Sequence, residues 1–233
     1  MKWVRLFFED LSHLVFPFYC VGCGSLLDYG EKSVCAGCVN HLPLTMYWSY
    51  SGNAVERLFW GKIRLEQACS FVFFSQGGTV QQMLHHLKYK NRPDVGSLVG
   101  RQFGKELINT PYHQVDLIVP VPLHTSRYKT RGYNQSDFIA EGLALELKKP
   151  VSTDSVMRIR ANETQTHKGK YQRWLNVKEL FHIAKPEVLV GKHILLVDDV
   201  VTTGSTLEAC AAAVLQVPET KVSVVTLACP LPI

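Results

Sequence analysis

Short apolar runs alternate with helical patterns through the second half of the chain. Leu117–Val121, Ile194–Val197 and Val222–Leu227 are short, largely apolar runs rich in branched side chains, which is typical of strands buried on both faces. The stretches 138–147 and 205–216 place apolar residues three and four apart, as one face of an amphipathic helix does. This alternation predicts an α/β fold in which a mostly parallel sheet is covered by helices on both faces.

The first half of the chain is organised differently. Residues 3–16 show an amphipathic helical pattern, and we expect this helix to pack on the module that follows it, because two acidic residues would keep it from an anionic membrane surface. We expect this helix and a small cysteine-rich module to occupy residues 1–45. The main α/β domain is then expected over residues 46–233, with 46–110 including a hood-like or connecting region.

Length and composition indicate an ordinary folded protein. The chain has 233 residues, of which 46% are hydrophobic and 19% charged, enough for one sizeable core and a small appendage. No segment approaches the ~20 apolar residues that span a bilayer, and no secretory signal is evident. We therefore expect a cytoplasmic protein without a transmembrane segment.

Four of the seven cysteines form two Cys-x-x-Cys pairs with eleven residues between them, at Cys20, Cys23, Cys35 and Cys38. Two such pairs can place four thiolates tetrahedrally around one Zn²⁺. Two disulfides or a redox pair are the alternatives, but a cytoplasmic setting disfavours disulfides and a redox site would not need two pairs. Four cysteine ligands leave no position for a catalytic water, so we expect the Zn²⁺ to be structural.

A second motif follows the apolar run Ile194–Val197. Two acids, Asp198 and Asp199, come first, and a hydroxyl-rich loop then leads into a helix through Thr202, Thr203, Gly204, Ser205 and Thr206. Unpaired N–H groups at a helix start cradle phosphate, and glycine lets the backbone approach it. Paired acids suit sugar hydroxyls or hydrated Mg²⁺. The motif predicts a sugar-phosphate site; the alternative is an ordinary capped turn between a strand and a helix.

The net charge of +5 is concentrated in two segments, 124–131 with +3 and 158–173 with +4. Such clustering favours a polyanionic ligand. In the first segment, the cations that could meet a pyrophosphate are Arg127, Lys129 and Arg131. The second is polar and glycine-containing, as a mobile lid would be, and its candidate cations are Lys168, Lys170 and Arg173. A solvated basic turn and an exposed linker are the alternatives.

The acid and hydroxyl motif resembles the 5-phosphoribosyl-1-pyrophosphate (PRPP) signature of type I phosphoribosyltransferases. The resemblance implies that Asp198 and Asp199 hold the ribose hydroxyls and that the loop 202–206 holds the 5-phosphate. It also implies that 46–233 is a phosphoribosyltransferase-like domain. Thr202 departs from the pattern, because purine-using members usually carry an acid at that position. The acceptor therefore stays open.

The chain as a whole resembles the competence protein F (ComF) family. The resemblance rests on the order of a four-cysteine ribbon and a phosphoribosyltransferase-like domain, on the VPVP…RGYNQ run over 119–135, and on the pattern from Gln165 to Phe181. Tyr133 stands where phenylalanine is frequent in the family. The resemblance implies a role in natural transformation, handling incoming single-stranded DNA on the cytoplasmic side together with the DNA-uptake machinery.

Two functions follow from these features. In the first, an enzyme passes the phosphoribosyl group of PRPP to an acceptor that the sequence does not name, with Mg²⁺ bridging ribose and pyrophosphate oxygens. In the second, a non-catalytic phosphoribosyltransferase fold binds single-stranded DNA, with basic segments on the phosphates and nearby aromatic rings stacked on bases. A phosphoribosyltransferase of nucleotide metabolism is a further alternative. We expect a site for PRPP or ribose 5-phosphate and a role in DNA uptake.

Overall fold

The computed structural model of the protein describes residues 18–159 and 180–231. Outside these ranges lie the helical pattern of residues 3–16 and three predicted lid cations, Lys168, Lys170 and Arg173. No helix of the described part is both long and apolar enough to cross a membrane.

The described ranges contain six strands: β1 (Gln67–Phe74), β2 (Leu117–Pro120), β3 (Val156–Arg158), β4 (Phe181–Ile183), β5 (His193–Val200) and β6 (Lys221–Pro230). The helices in the same ranges are α1 (Ala36–Asn40), α2 (Ala54–Arg57), α3 (Thr79–Tyr89), α4 (Pro93–Leu107), α5 (Thr125–Arg131), α6 (Gln135–Leu147), α7 (Pro186–Leu189) and α8 (Ser205–Val214). Short 3₁₀ turns occur at Tyr47–Ser49 and Pro111–Gln114.

Four strands form a parallel sheet in the order β1-β6-β5-β2. In β5, the consecutive residues from Ile194 to Val197 are all completely buried. Because successive side chains of a strand point to opposite faces, this pattern shows that both faces of the sheet are covered. The expected α/β architecture with a parallel sheet between helices is confirmed.

The strand β5 is longer than its apolar run predicts. It continues through Asp198 and Asp199 to Val200, with Asp198 opposite Thr226 and Val200 opposite Ala228. The neighbouring strand β6 is ten residues long and supplies ladder partners beyond the apolar run. The two acids therefore lie on the strand itself, and their backbone is fixed by the sheet.

Glycines let α4 and α6 cross with their backbones in contact. A Cβ added at Gly100 would lie 2.3 Å from the carbonyl oxygen of Ile139, and one at Gly142 would lie 2.4 Å from that of Ser97. Both distances are far inside van der Waals contact, so no side chain fits there without separating the helices. The crossing fixes α6 against the sheet, where it packs on β2 and β5.

The N-terminal module packs on the start of α3. A Cβ at Gly22 would lie 2.7 Å from Cγ2 of Thr79 and 3.2 Å from Cε of Met83. Nearby, the guanidinium of Arg92 donates to the carbonyl of Lys32 at 3.0 Å. The first cysteine knuckle and α3 are therefore in direct contact.

Replacing Gly142 by alanine tests the close crossing of α4 and α6. We expect Gly142→Ala to lower the free energy of unfolding by about 1–3 kcal/mol, because the new methyl group must push the helices apart. Urea denaturation measures the change. Leu145→Ala, at an exposed position of the same helix, should alter stability by less than about 0.5 kcal/mol. Equal stability of Gly142→Ala and the wild type would contradict the crossing.

Candidate functional site

A cleft of about 150 Å³ opens at the carboxyl end of the parallel sheet. It is lined by the end of β5, by α5 and the first turn of α6, and by single residues of α3, β3 and α8. In open parallel sheets, the carboxyl ends of the strands are where ligands bind. The charged side chains that line the cleft are Lys88, Arg127, Arg131, Arg158, Asp198 and Asp199.

The two acids of β5 occupy different environments. Asp198 is half-buried, and its Oδ1 accepts hydrogen bonds from Ser136 Oγ at 3.1 Å and from the Asp199 backbone N–H at 2.8 Å. Loss of water around its carboxyl, followed by the charge of Asp199, raises the pKa of Asp198 to about 7. Asp199 instead pairs with a cation, since its Oδ2 lies 3.0 Å from Nζ of Lys88.

The hydroxyl-rich loop 202–206 continues directly from the acid strand. Gly204 has a left-handed conformation with φ of 78°, and a Cβ there would lie 3.1 Å from Cε1 of Phe59. Two hydroxyls of the loop, Thr203 Oγ1 and Ser205 Oγ, are 3.1 Å apart. A depression of about 50 Å³ is lined by this loop and by the end of β5. The structure thus brings the predicted acids and the predicted phosphate loop together.

The basic segment 124–131, for which a solvated turn was the alternative to a pyrophosphate contact, contains the short helix α5. Arg127 and Arg131 are four residues apart, so they share one face of the helix and both line the cleft. Arg131 donates to Oε1 of Gln135 at 2.8 Å and lies over the ring of Tyr89 at 5.3 Å. Lys129 lies two positions from each arginine, is exposed, and is not among the cleft-lining residues.

Ser136, in the first turn of α6, does not cap that helix and instead contacts an acid of the cleft. The N-cap is Asn134, whose Oδ1 accepts from the Ser136 N–H at 3.4 Å and whose Nδ2 donates to the carbonyl of Val121 at 3.1 Å. Asparagine is among the strongest N-cap residues, so it takes the position. The hydroxyl of Ser136 is thereby left to bind Asp198.

Sequence reasoning missed several cleft residues. Lys88 of α3 carries no motif that relates it to the acid pair. Arg158 was recognised only as part of a charged segment, yet its guanidinium lies over the ring of Phe181 at 5.4 Å and borders the cleft. Two buried donors of the cleft residues, Gln135 Nε2 and Arg158 Nε, have no hydrogen-bond partner in the described part of the protein. Unpartnered donors of this kind favour a ligand rich in acceptors.

The four cysteines of the N-terminal module converge on one point. Their sulfur atoms all lie within 4.8 Å of one another, and the Cys20–Cys38 and Cys23–Cys35 sulfur separations are both 3.7 Å. These separations are far longer than a disulfide bond and close to the edge of a tetrahedron around a metal with sulfur ligands at ~2.3 Å. Sγ of Cys20 also accepts N–H groups from Gly22 and Cys35 at 3.4 and 3.3 Å. The cluster is therefore arranged to hold one metal ion.

Comparison with known proteins agrees with this architecture. Residues 136–230 match the family model described as phosphoribosyl transferase domain. DNA utilization protein YhgH of Salmonella typhimurium is 35% identical over 138 residues, which cover 58% of this chain and 60% of that protein. The match thus spans less than two thirds of the length of that relative. Competence protein F of Haemophilus influenzae is 26% identical over 202 residues, covering 82% of this chain and 88% of its own.

Among solved structures, glutamine phosphoribosylpyrophosphate amidotransferase from Bacillus subtilis aligns with 61% of this chain and 30% of its own, at 21% identity and a TM-score of 0.42. This similarity is too low to carry that enzyme's chemistry to the present protein. The relatives, the matched domain and the cysteine cluster together confirm the resemblance seen in the sequence. The chain is similar to competence protein F over most of its length, its residues 136–230 match a phosphoribosyl transferase domain, and four of its cysteines cluster near the N-terminus.

Proposed function

We propose that this protein binds PRPP or ribose 5-phosphate with Mg²⁺ in the cleft, and that it acts in natural transformation and DNA uptake. The observation that carries the proposal is the continuity of the acid pair and the hydroxyl-rich loop at the carboxyl end of the sheet. Relatives named for competence and for DNA utilization support the second part. In this proposal residues 1–45 form the metal module and 46–233 the phosphoribosyltransferase-like domain.

The acid pair is suited to the hydroxyl end of the ligand. Asp198 and Asp199 are strand residues whose backbones are held by β6, so their carboxylates can accept hydrogen bonds from ribose hydroxyls without reordering the chain. The site also fits Mg²⁺, which keeps several of its waters and could be held by these carboxylates through them. When bound, Mg²⁺ would neutralise and orient the pyrophosphate oxygens.

The loop 202–206 is suited to the 5-phosphate. It precedes α8, a helix of ten residues whose N-cap, Gly204, has no side chain to occupy the first N–H groups, which can therefore meet an anion. The left-handed Gly204 turns the backbone at this point, and the hydroxyls of Thr202, Thr203, Ser205 and Thr206 add donors.

In this proposal the pyrophosphate binds on the side of the cleft that is lined by α5. Arg127 and Arg131 supply bidentate donors from α5, and the exposed Lys129 is a candidate contact outside the cleft. Lys168, Lys170 and Arg173 complete the proposal as cations that would close over the ligand and exclude water. A phosphoribosyl transfer would then be promoted mainly by positioning and charge stabilisation, with an acceptor still to be identified.

A second candidate function, binding of single-stranded DNA, is supported by the outer side of the same helix. Tyr128 is 51% exposed and is flanked in sequence by Arg127 and Lys129, both exposed. Exposed aromatic rings among cations can stack bases while the cations meet phosphates. This function and ribose-phosphate binding are compatible.

The four-cysteine cluster is proposed to hold a structural Zn²⁺. All four sulfur atoms are within reach of one ion, and backbone N–H groups point at two of the sulfurs. Hydrogen bonds from Ser25 lower the pKa of Cys23 to about 6, whereas burial raises the pKa of Cys38. The thiolate that a metal requires is therefore favoured at Cys23 before the ion binds, and at Cys38 the bound ion would have to stabilise it. The bound metal would stabilise a module with few buried side chains of its own.

The Asp198→Ala variant tests the ligand site. We expect calorimetry to show saturable binding of PRPP with Mg²⁺ to the wild type and at least a tenfold weaker affinity for the variant, because a principal acceptor for the ribose hydroxyls is removed. Glu106→Gln, at an exposed position of α4, should bind as the wild type does.

Single-stranded DNA binding measured on the same variants separates the two functions. Removal of an acid should leave DNA affinity unchanged or increase it, and the affinity should fall steeply with salt if several phosphates are contacted. Absence of PRPP binding to the wild type would refute the ribose-phosphate site and leave DNA binding as the leading function.

Replacement of Cys23 by serine tests the metal cluster. We expect the wild type to contain one zinc per chain and Cys23→Ser to lose it, with a lower melting temperature, because three thiolates and a hydroxyl bind Zn²⁺ more weakly. Metal analysis and thermal denaturation measure both effects. Cys229→Ala, which alters a buried cysteine of β6, should keep its zinc. A wild type that contains two disulfides and no zinc would overturn the assignment.

Asp198, a proposed ligand-binding acid at the edge of the core, should lower the free energy of unfolding at neutral pH. The pKa of Asp198 is raised to about 7, so between about pH 4 and pH 7 the folded state binds more protons than the unfolded state. Stability attributable to this group is therefore lost as the pH rises through that window. We expect Asp198→Asn, which keeps an acceptor for Ser136, to be more stable than the wild type at pH 8 by about 1–2 kcal/mol.

The gain should shrink as the pH falls toward about 5, and urea denaturation across this range measures it. Asp137, whose pKa burial raises to about 6, stays in the variant and retains part of the pH dependence. Glu106→Gln should show no such gain. An Asp198→Asn variant that is no more stable than the wild type at pH 8 would mean that the carboxylate is well compensated when ionised.

A further inference from the structure

We propose that Lys88 is the built-in counterion of the acid pair: it positions Asp199 and allows a ribose phosphate to bind the cleft without a divalent cation. The proposal rests on the proposed function, since it concerns the same site. Its first support is the contact itself, with Nζ of Lys88 3.0 Å from Oδ2 of Asp199. The side chains are only 22% and 15% exposed, so water screens this pair much less than it screens a surface pair.

The backbone that carries Lys88 is held on both sides. The preceding residue, Leu87, is fully buried, and its carbonyl accepts a hydrogen bond from the hydroxyl of Tyr133. The following residue, Tyr89, packs its ring beneath the guanidinium of Arg131. Lys88 thus projects from a fixed point of α3 into the cleft, where its ammonium reaches Asp199.

Two of the three other cations of the cleft have different partners. Arg131 is engaged by Oε1 of Gln135 and by the ring of Tyr89, and Arg158 lies over the ring of Phe181. Among the described residues that line the cleft, Lys88 is the one whose side chain forms an ion pair with the acid pair. The positive charge that Asp199 requires is therefore already supplied by the protein.

A fixed ammonium also restricts where a metal can bind. A divalent cation coordinated by Asp199 would lie within a few ångströms of Nζ, where two positive charges repel strongly in a half-buried site. Lys88 therefore occupies the position that a metal would take at Asp199. Any requirement for Mg²⁺ should come from the pyrophosphate of PRPP, and ribose 5-phosphate, which has no pyrophosphate, should bind without metal.

This inference is tested by calorimetric titration of ribose 5-phosphate into the full chain. One titration contains EDTA, and the other contains Mg²⁺ added after removal of excess chelator. Because EDTA could extract the metal of the cysteine cluster, each sample is checked to retain its zinc. We expect the wild type to bind with affinities that differ by less than about threefold between the two conditions. Lys88→Met should lose at least tenfold in EDTA and recover much of that loss in Mg²⁺, because the metal can then take the vacated position.

Two variants serve as controls. Lys88→Arg, which keeps a cation at the position, should retain metal-independent binding, and Lys90→Met, at an exposed lysine just past the end of α3, should behave as the wild type. Thermal denaturation checks that each variant is folded. A purely structural role of Lys88 would weaken binding equally in both conditions, without rescue by Mg²⁺, and would contradict the proposal.

The outcome separates this inference from the proposed function. Wild-type binding of ribose 5-phosphate that requires Mg²⁺ would overturn the role of Lys88 and leave the ribose-phosphate site intact. Wild-type binding of neither ribose 5-phosphate nor PRPP under either condition would refute the site and the inference together. Unchanged metal-free binding by Lys88→Met would overturn the inference alone.

Discussion

A carboxylate moved out of water is destabilised unless hydrogen-bond donors or cations compensate it. The end of β5 imposes this constraint, because Asp198 and Asp199 continue a strand whose preceding four residues are completely buried. Each acid is compensated in its own way, by the hydroxyl of Ser136 for Asp198 and by the ammonium of Lys88 for Asp199. The compensation is incomplete at Asp198, as its raised pKa indicates. Acceptor groups thus remain ready for a ligand, at a cost in stability.

The compensating groups come from rigidly mounted elements. Ser136 lies in the first turn of α6, which is fixed by its glycine-mediated crossing with α4. Lys88 lies near the end of α3, and the start of that helix packs on Gly22 of the first cysteine knuckle. One helix therefore touches the four-cysteine module at one end and the cleft at the other. The small module therefore supports the helix that carries Lys88 to the site.

The elements that local pattern controls were predictable from the sequence. Apolar runs located the sheet strands β2, β5 and β6, helical spacing located α6 and α8, and the cysteine spacing anticipated the convergence of four sulfurs. Contacts between distant segments were not predictable. Ser136 and Asp198 are 62 positions apart and Lys88 and Asp199 lie further apart still, so no local spacing relates them. The acids were expected beyond the strand because polarity changes there, whereas ladder partners on β6 extend the strand to Val200.

The geometry of α5 bears on how a small ligand and a nucleic acid could share this protein. A helix turns by about 100° per residue, so arginines four apart share a face and the lysine between them lies on another. Arg127 and Arg131 accordingly border the cleft, while Lys129 is exposed outside it. A sugar phosphate in the cleft and a polyanion on the outer face would therefore compete mainly for Arg127, which is both exposed and cleft-lining. Occupancy of the cleft should then weaken the outer contact modestly instead of abolishing it, because Tyr128 and Lys129 are not among the residues that line the cleft.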